Sequence, residues 1–388
     1  MSAKRRIFLV AAEESGDRLG GALMAALRAR CGDTLEMVGV GGRDMAAQGL
    51  VSLFPIEALS IMGLLSIPRK LPMILRRIRE TTDAVLARPP DALVIIDSPD
   101  FTHRVARRVR AANPAIPIVD YVSPTVWAWR PGRARVMRRY VDHVLALLPF
   151  EPQAHRELGG PPCTYVGHPL IQQLDTLRPN ALEQARRDAS PPVLLVLPGS
   201  RRVEIRHHMQ VFGETLARLR AEGVPFEAVL PTTAHLRDSV TAALADWPVQ
   251  PRLVVDDAEK RAAFRAARAA LAKSGTVTLE LALAGVPMVT AYKGSAFEAW
   301  VARRMVRVPT VILANLVIGD SVVPEFLQED CVPERLLPAL RDVLGYTDAR
   351  RRQVEAFARL DTIMSTGAQS PSERAAEIVL ASLRSAAA

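Results

Sequence analysis

Short apolar runs alternate with stretches of helical periodicity along the first 170 residues. IFLVA (7–11), MVGVGG (37–42), ALVIID (92–97), IPIVDYV (116–122), HVLALLPF (143–150) and TYVGH (164–168) read as six strands. Several are unbroken apolar runs, the pattern of strands covered on both faces. Helical segments such as LGGALMAALRAR separate them, and strand–helix–strand alternation predicts a parallel, doubly wound α/β sheet. The pattern fades over QQLDTLRPNALEQARRDASPP, a polar, proline-bounded stretch that reads as a linker with a short helix. It then resumes in VLLVLPGS (193–200), FEAVLPT (226–232), RLVVDD (252–257), AALAKSG (269–275) and PMVTAY (287–292). The expectation is two Rossmann-like doubly wound domains facing a cleft, over 1–170 and 171–368. The last helical segment, 369–388, is expected to complete the first domain.

Parallel sheets of this kind bind ligands at the carboxyl ends of their strands, so the chemistry is sought there. AAEESGDRLGG (11–21) closes the first strand, yet Gly16, Gly20 and Gly21 miss the G-x-G-x-x-G spacing. That excludes the ordinary dinucleotide pyrophosphate turn. Asp97 closes ALVIID at the end of a buried strand and is a candidate general base, with His168 in VGHPL as its rival. Asp97 and Asp100 alone lack a third ligand for a metal.

In the second half, AKSGTVTLELALAGVP (272–287) ends a strand in Ser274, Gly275 and Thr276 and opens a helix free of bulk at its start. Free N–H groups and the helix dipole suit a diphosphate there. Thr276 and Thr278 offer hydroxyls, and Glu280 lies one turn on, where a carboxylate accepts from vicinal ribose hydroxyls. LPGSRRVEI (197–205) is a second such turn, with Gly199 and Ser200 followed by Arg201 and Arg202, whose guanidinium forks match phosphate oxygens.

Composition narrows the class. Of 388 residues 49% are hydrophobic and 23% charged, which excludes a disordered chain and leaves room for two cores. Three dispersed cysteines, Cys31, Cys163 and Cys331, give no disulfide framework and no zinc spacing. The apolar run after the basic start is short and leads into acids, so it reads as a strand and not a signal peptide, and a cytoplasmic location is expected. The formal charge of +9 is uneven: residues 1–170 carry 23 Lys/Arg against 16 Asp/Glu. Nine arginines and one acid, Asp120, lie between Phe101 and Val141, which predicts an anionic partner. No nucleic-acid motif accompanies them. LSIMGLLSIPRKLPMILRRIR (59–79) sets apolar residues beside five cations and no acid, as an interfacial element does. Its two prolines argue against one long helix.

AEESGD, DSPDF, YVSPTVWAWRPGR, LPFE, VGHPL, LPGSR, KSGTVTLELALAGVPMV and ANLV followed by PEFLQ stand in one order from about Ile7 to Glu329. Together they resemble the lipid-A-disaccharide synthase family of bacterial glycosyltransferases. The resemblance implies a glycosyltransferase-B fold and an inverting reaction in which UDP-2,3-diacylglucosamine and 2,3-diacylglucosamine 1-phosphate give a β-1,6 disaccharide and UDP. It implies lipid-linked donor and acceptor substrates and no metal or other cofactor. It also implies peripheral binding to the anionic cytoplasmic face of the inner membrane, and leaves a homodimer open. The family's strand-end aspartate falls on Asp97, its arginine on Arg201 and its Asn-Leu asparagine on Asn315. Its apolar membrane patch falls on Leu65, Ile67, Leu71 and Ile74, beside Arg76 and Arg77, with Pro68 at one patch position. Ala12 stands where the family has a glycine. In this frame Ser15, Gly16 and Asp17 would meet the acceptor sugar or the donor's reacting end. Two other readings use the same residues: a UDP-sugar 2-epimerase of the same fold, and a non-catalytic nucleotide-dependent membrane-binding module.

Overall fold

The computed structural model describes residues 4–59, 67–305 and 308–385. The chain forms two compact units, Met1–Pro169 with Thr366–Ala388, and Leu170–Ser365. Each is built on a six-stranded parallel sheet among the described residues.

In the first unit the strands are β1 (Arg5–Ala11), β2 (Leu35–Val40), β3 (Ala92–Ile96), β4 (Ile118–Tyr121), β5 (His143–Ala146) and β6 (Cys163–Tyr165), in the order β2-β1-β3-β4-β5-β6. The unbroken apolar run of β1 has a direct cause. Ile7, Leu9 and Ala11 face a core made with Leu23, Leu27 and the C-terminal helix residues Ala375, Ala376 and Val379. Phe8 and Val10 face the opposite core with Phe101, Val105 and Ile78. Both faces of the strand are therefore dry, and a polar residue on either would be buried.

In the second unit the strands are β7 (Val193–Leu197), β8 (Glu227–Pro231), β9 (Arg252–Val254), β10 (Ala267–Lys273), β11 (Met288–Tyr292) and β12 (Glu325–Leu327), in the order β12-β11-β10-β7-β8-β9. Strand β12 was not expected. At three residues it is too short to show a pattern, and it exists because it pairs with Thr290–Tyr292 of β11.

The topology fixes where ligands can go. In the first sheet the chain leaves β1 for β2 on one side and then crosses to β3 on the other, so the order reverses between β1 and β3. Their carboxyl ends, Ala11 and Ile96, are paired in register. In the second sheet the reversal falls between β7 and β10, where Leu197 pairs with Ala272. Open α/β sheets offer a crevice at such switch points.

Two local expectations are corrected. A helix runs from Ile67 to Ala87 through Pro72. Pro68 sits in its first turn, where an N–H has no helical partner to lose, and Pro72 forfeits a single bond near the start. Ile78 and Val85, both fully buried, anchor the rest. The polar stretch 172–192 holds the short helix expected of it, but the rest is no mere linker. Asn180 and Glu183 form a reciprocal capping box for the helix Ala181–Asp188. Arg187, buried, donates to the carbonyls of Phe264, Arg265, Ala284 and Gly285 and ties that helix into the second unit.

Gly39 supplies a test of the first sheet. Its φ is +144°, and a Cβ there would lie 1.8 Å from the Leu9 carbonyl oxygen of the neighbouring strand. Gly39→Ala is expected to lower unfolding free energy by about 3 kcal/mol or more, through strain and overpacking together. Urea denaturation checks this; a loss below about 1 kcal/mol would contradict the β1–β2 geometry.

Candidate active site

Asp97 follows β3 directly at the switch point of the first sheet, and its backbone is left-handed, with φ 54°, as is that of Ser98, with φ 45°. The conformation is held from several sides. The Asp97 N–H donates to the Tyr121 carbonyl, and Thr102 Oγ1 donates to the Asp97 carbonyl at 2.7 Å. The half-buried carboxylate accepts from the Ser98 N–H at 2.7 Å through Oδ1 and from Ser15 Oγ at 2.7 Å through Oδ2. Strained backbone over-determined by its surroundings is a frequent mark of a working site. Gly16 makes the approach of Ser15 feasible, since a Cβ at Gly16 would sit 3.0 Å from the Ile96 carbonyl oxygen.

Asp17 corrects the reading of Ser15 to Asp17 as one ligand-facing stretch. It is buried, with Oδ1 accepting from the N–H groups of Gly42 and Met45, and Oδ2 from Asp44. Three amides at a helix start bond to it, so Asp17 holds the β2 turn, and its burial turns it away from a ligand at the surface. Glu13 and Glu14 are exposed. Gly20 and Gly21 admit Met45 and Asp44 of that same turn: a Cβ would lie 2.5 Å from Met45 Sδ in the first case and 3.0 Å from the Asp44 carbonyl oxygen in the second.

His168 stands apart from Asp97. It follows β6, three strand positions from β3, about 14 Å across the sheet. Burial lowers its imidazole pKa from 6.5 to about 4, so it is neutral at pH 7 and a weak base.

At the switch point of the second unit two turns meet. Gly199 has φ +128° and lets Glu204 pack against the turn. Glu204 Oε2 accepts from the Ser200 N–H at 2.9 Å. Its Oε1 lies 3.0 Å from Lys273 Nζ and 3.7 Å from Arg201 Nη1. Burial alone would raise the Glu204 carboxyl, but the Lys273 charge and the Ser200 N–H outweigh it and hold the group below its ordinary range. Arg201 is largely solvent-exposed, with 81% of its side chain accessible. Ser274 is buried and Thr276 exposed at the start of the helix Val277–Leu283. Gly275 leaves room for Lys273, whose Nζ would lie 3.4 Å from a Cβ there. Burial pushes the Glu280 carboxyl above its ordinary range.

Two expected nucleotide contacts are engaged elsewhere. Thr278 is fully buried and donates its hydroxyl to the Gly275 carbonyl at 2.8 Å. Asn315 is buried and clamps Val323 at both ends, Oδ1 accepting from its N–H at 2.9 Å and Nδ2 donating to its carbonyl at 3.0 Å. Buried and bonded inward, neither presents its side chain to a ligand at the surface of the turn.

Of the apolar patch, Leu65 lies outside the described residues, as does the side chain of Ile67. Leu71 and Arg76 are exposed. Ile74 instead packs against the core beside Phe54 and Ile78. Arg77 lies 4.5 Å from the Phe54 ring centroid and donates to Glu80 Oε2 at 2.7 Å, so it too faces the protein. An acid just beyond the segment and an aromatic far from it in sequence explain the correction.

Sequence reasoning missed Glu204, Lys273 and His208 as one assembly. His208, fully buried, accepts from the Lys293 N–H through Nε2, so its Nδ1 carries the proton donated to the Glu204 carbonyl at 2.7 Å. A lysine closing an apolar strand and a glutamate three residues after Arg201 were the available signals. Glu151 was also passed over; it accepts from Trp127 Nε1 at 3.1 Å and the Leu148 N–H at 3.0 Å, which holds the segment after β4 in place.

With this geometry established, comparison with known proteins decides the family. Residues 7–379 match the model of the lipid-A-disaccharide synthetase family. The chain belongs to the lipid-A-disaccharide synthase family. Members from Rhodopseudomonas palustris strain HaA2 and Bradyrhizobium diazoefficiens are each 70% identical to it, over 98% of this chain and 97% of theirs. One from Rhodospirillum centenum is 46% identical over 96% of this chain and 94% of its own. Among solved structures, a calicheamicin glycosyltransferase covers 99% of both chains at 16% identity and a TM-score of 0.60. The UDP-GlcNAc 2-epimerase of Neisseria meningitidis, bound to UDP-GlcNAc, covers 98% of this chain and 99% of its own at 13% identity and a TM-score of 0.60. These two show the shared glycosyltransferase-B fold. The family membership, resting on far higher identity, disfavours an epimerase.

His168 makes the pH behaviour testable. Its pKa falls on folding, so its contribution is complete above 6.5 and is lost as pH drops from 6.5 toward 4. The loss is roughly 3 kcal/mol for a shift of this size. His168→Gln should flatten the unfolding free energy over that interval in urea titrations. An unchanged slope would place His168 in a solvated setting.

Proposed function

We propose that this chain joins UDP-2,3-diacylglucosamine to 2,3-diacylglucosamine 1-phosphate, with Asp97 as the base and the second unit as the holder of UDP. The observation that carries the reading is Asp97 itself: a carboxylate at the switch point of the first sheet, in strained backbone, oriented by Ser15 and Ser98. The acceptor's 6-hydroxyl gives its proton to Asp97 as its oxygen attacks the anomeric carbon of the donor. The bond from that carbon to the diphosphate breaks, the configuration inverts and UDP leaves. The Ser15 hydroxyl fixes Oδ2 and with it the direction in which the carboxylate accepts.

Leaving-group charge is met on the second unit by Arg201 and by N–H groups of the 199–201 and 275–277 turns, the Ser200 N–H being shared with Glu204. The helix Val277–Leu283 spans seven residues, so its dipole is a smaller contribution than the cations beside it. Cations and amides in this number support a reaction that runs without a metal. Glu280 is assigned to the ribose hydroxyls. The lipid-linked substrates bring the protein to the cytoplasmic face of the inner membrane as a peripheral protein. No described helix is long and apolar enough to cross a membrane. Exposed Leu71 and Arg76 support contact with an anionic surface through the start of the helix Ile67–Ala87.

The test uses purified protein with both lipid substrates and with each alone, following UDP release and disaccharide formation by mass spectrometry. Both products are expected only with the pair. Asp97→Asn should lower turnover at least about 10²-fold while leaving UDP affinity within about twofold. Near-normal turnover in that variant removes Asp97 from the role; UDP release without acceptor removes the transferase assignment.

A further inference from the structure

Glu204 occupies the place where an anionic ligand of this unit would look for its partners. Its carboxylate takes the Ser200 N–H at 2.9 Å, and Lys273 Nζ lies 3.0 Å from the other oxygen. Arg201 is next, 3.7 Å away. These are the donors that the ends of β7 and β10 present at the switch point. Glu204 and Lys273 are shielded, with side-chain exposures of 13% and 17%, so their charges act on each other with little screening. Arg201 is exposed, and among the described residues its side chain is tied by the longer contact.

The glutamate is fixed in this pose. Gly199 has no side chain to displace it, and a Cβ there would meet Glu204 Cβ at 2.5 Å and Oε2 at 2.6 Å. Behind it, His208 receives the Lys293 N–H and donates to the Glu204 carbonyl, so the turn after β11 and the first turn of the helix Arg202–Ala221 are braced together. Lys273 is also bounded by the Tyr292 ring, whose centroid lies 5.4 Å from Nζ.

We infer that Glu204 is an affinity-setting residue, a built-in carboxylate that competes with a nucleoside diphosphate for Ser200 N–H and Lys273 and so keeps the product from being held too tightly. The inference rests on the reading of the second unit as the UDP holder. Of the two cations, it makes Arg201 the one that reaches a diphosphate freely and Lys273 the one whose charge is already neutralised. An enzyme that must release UDP after every turnover gains from this arrangement, since ground-state affinity for the product slows the cycle.

The experiment measures UDP binding to the full-length protein by calorimetry, at low and at 1 M salt. Glu204→Gln keeps the size of the side chain and removes its charge. UDP should bind roughly tenfold more tightly to this variant at low salt, with a smaller gain at 1 M. In the Glu204→Gln/Lys273→Met double variant the gain should vanish, because the released charge is that of Lys273. Glu204→Asp, which withdraws the carboxylate by one methylene, gives a second measurement and should tighten binding in the same sense if the Gln variant does not fold. Unchanged or weaker UDP binding in a folded Glu204 variant, or a gain that survives loss of Lys273, would overturn the inference. If the unsubstituted protein shows no UDP binding at all, it is the nucleotide reading of this unit that fails.

Discussion

The carboxylate of Asp17 is the contact on which the candidate catalytic corner depends. It receives three backbone amides, from Gly42, Asp44 and Met45, and so fixes the turn after β2 against the first turn of the helix Glu14–Cys31. Charge-assisted bonds of this kind are stronger than neutral ones, and three converging on one buried group leave the helix little freedom to rotate. Because that helix cannot rotate, Gly16 stays against the end of β3 and Ser15 stays on Asp97 Oδ2. A change of register by one residue would carry the hydroxyl away from the base.

The second unit uses the same physical device at its own switch point. Backbone N–H groups at a strand end need an acceptor, and Glu204 supplies one from inside the chain as Asp17 does in the first unit. The difference lies in what surrounds each carboxylate. Asp17 meets only amides and is buried for good, while Glu204 meets a lysine and an exposed arginine at a turn open to a ligand. One carboxylate braces a turn; the other is the one we infer to compete with a nucleoside diphosphate for its partners.

Much of this was readable from the sequence because apolar runs report burial directly. The eleven strands that were expected are present, since both faces of each sheet are covered and the runs are correspondingly unbroken. Strand β12 escaped because three residues, Glu325–Leu327, carry no period. Asp97 was legible as the acid that ends a dry strand, and Arg201 as a cation after Gly-Ser. What the sequence could not convey was direction. Asp17, Thr278 and Asn315 have the right chemistry for ligands, yet each bonds inward to backbone groups: Asp17 and Asn315 to groups that the fold brings to them, and Thr278 to the Gly275 carbonyl of its own turn. Arg77 and Ile74 failed in the same way: Phe54, which packing brings to the helix, meets Arg77, whose other partner is Glu80 one turn on, and Ile74 packs against the core cluster that holds Phe54.

The account divides the work between the units, with nucleotide on the second and proton transfer on the first. Hydrogen exchange of the backbone amides, read by mass spectrometry with and without saturating UDP, tests that division most directly. Slowed exchange is predicted over 198–204 and 274–280, with the segments 12–17 and 97–102 unchanged. Protection confined to 12–17 and 97–102, with none at the 198–204 and 274–280 turns, would contradict it.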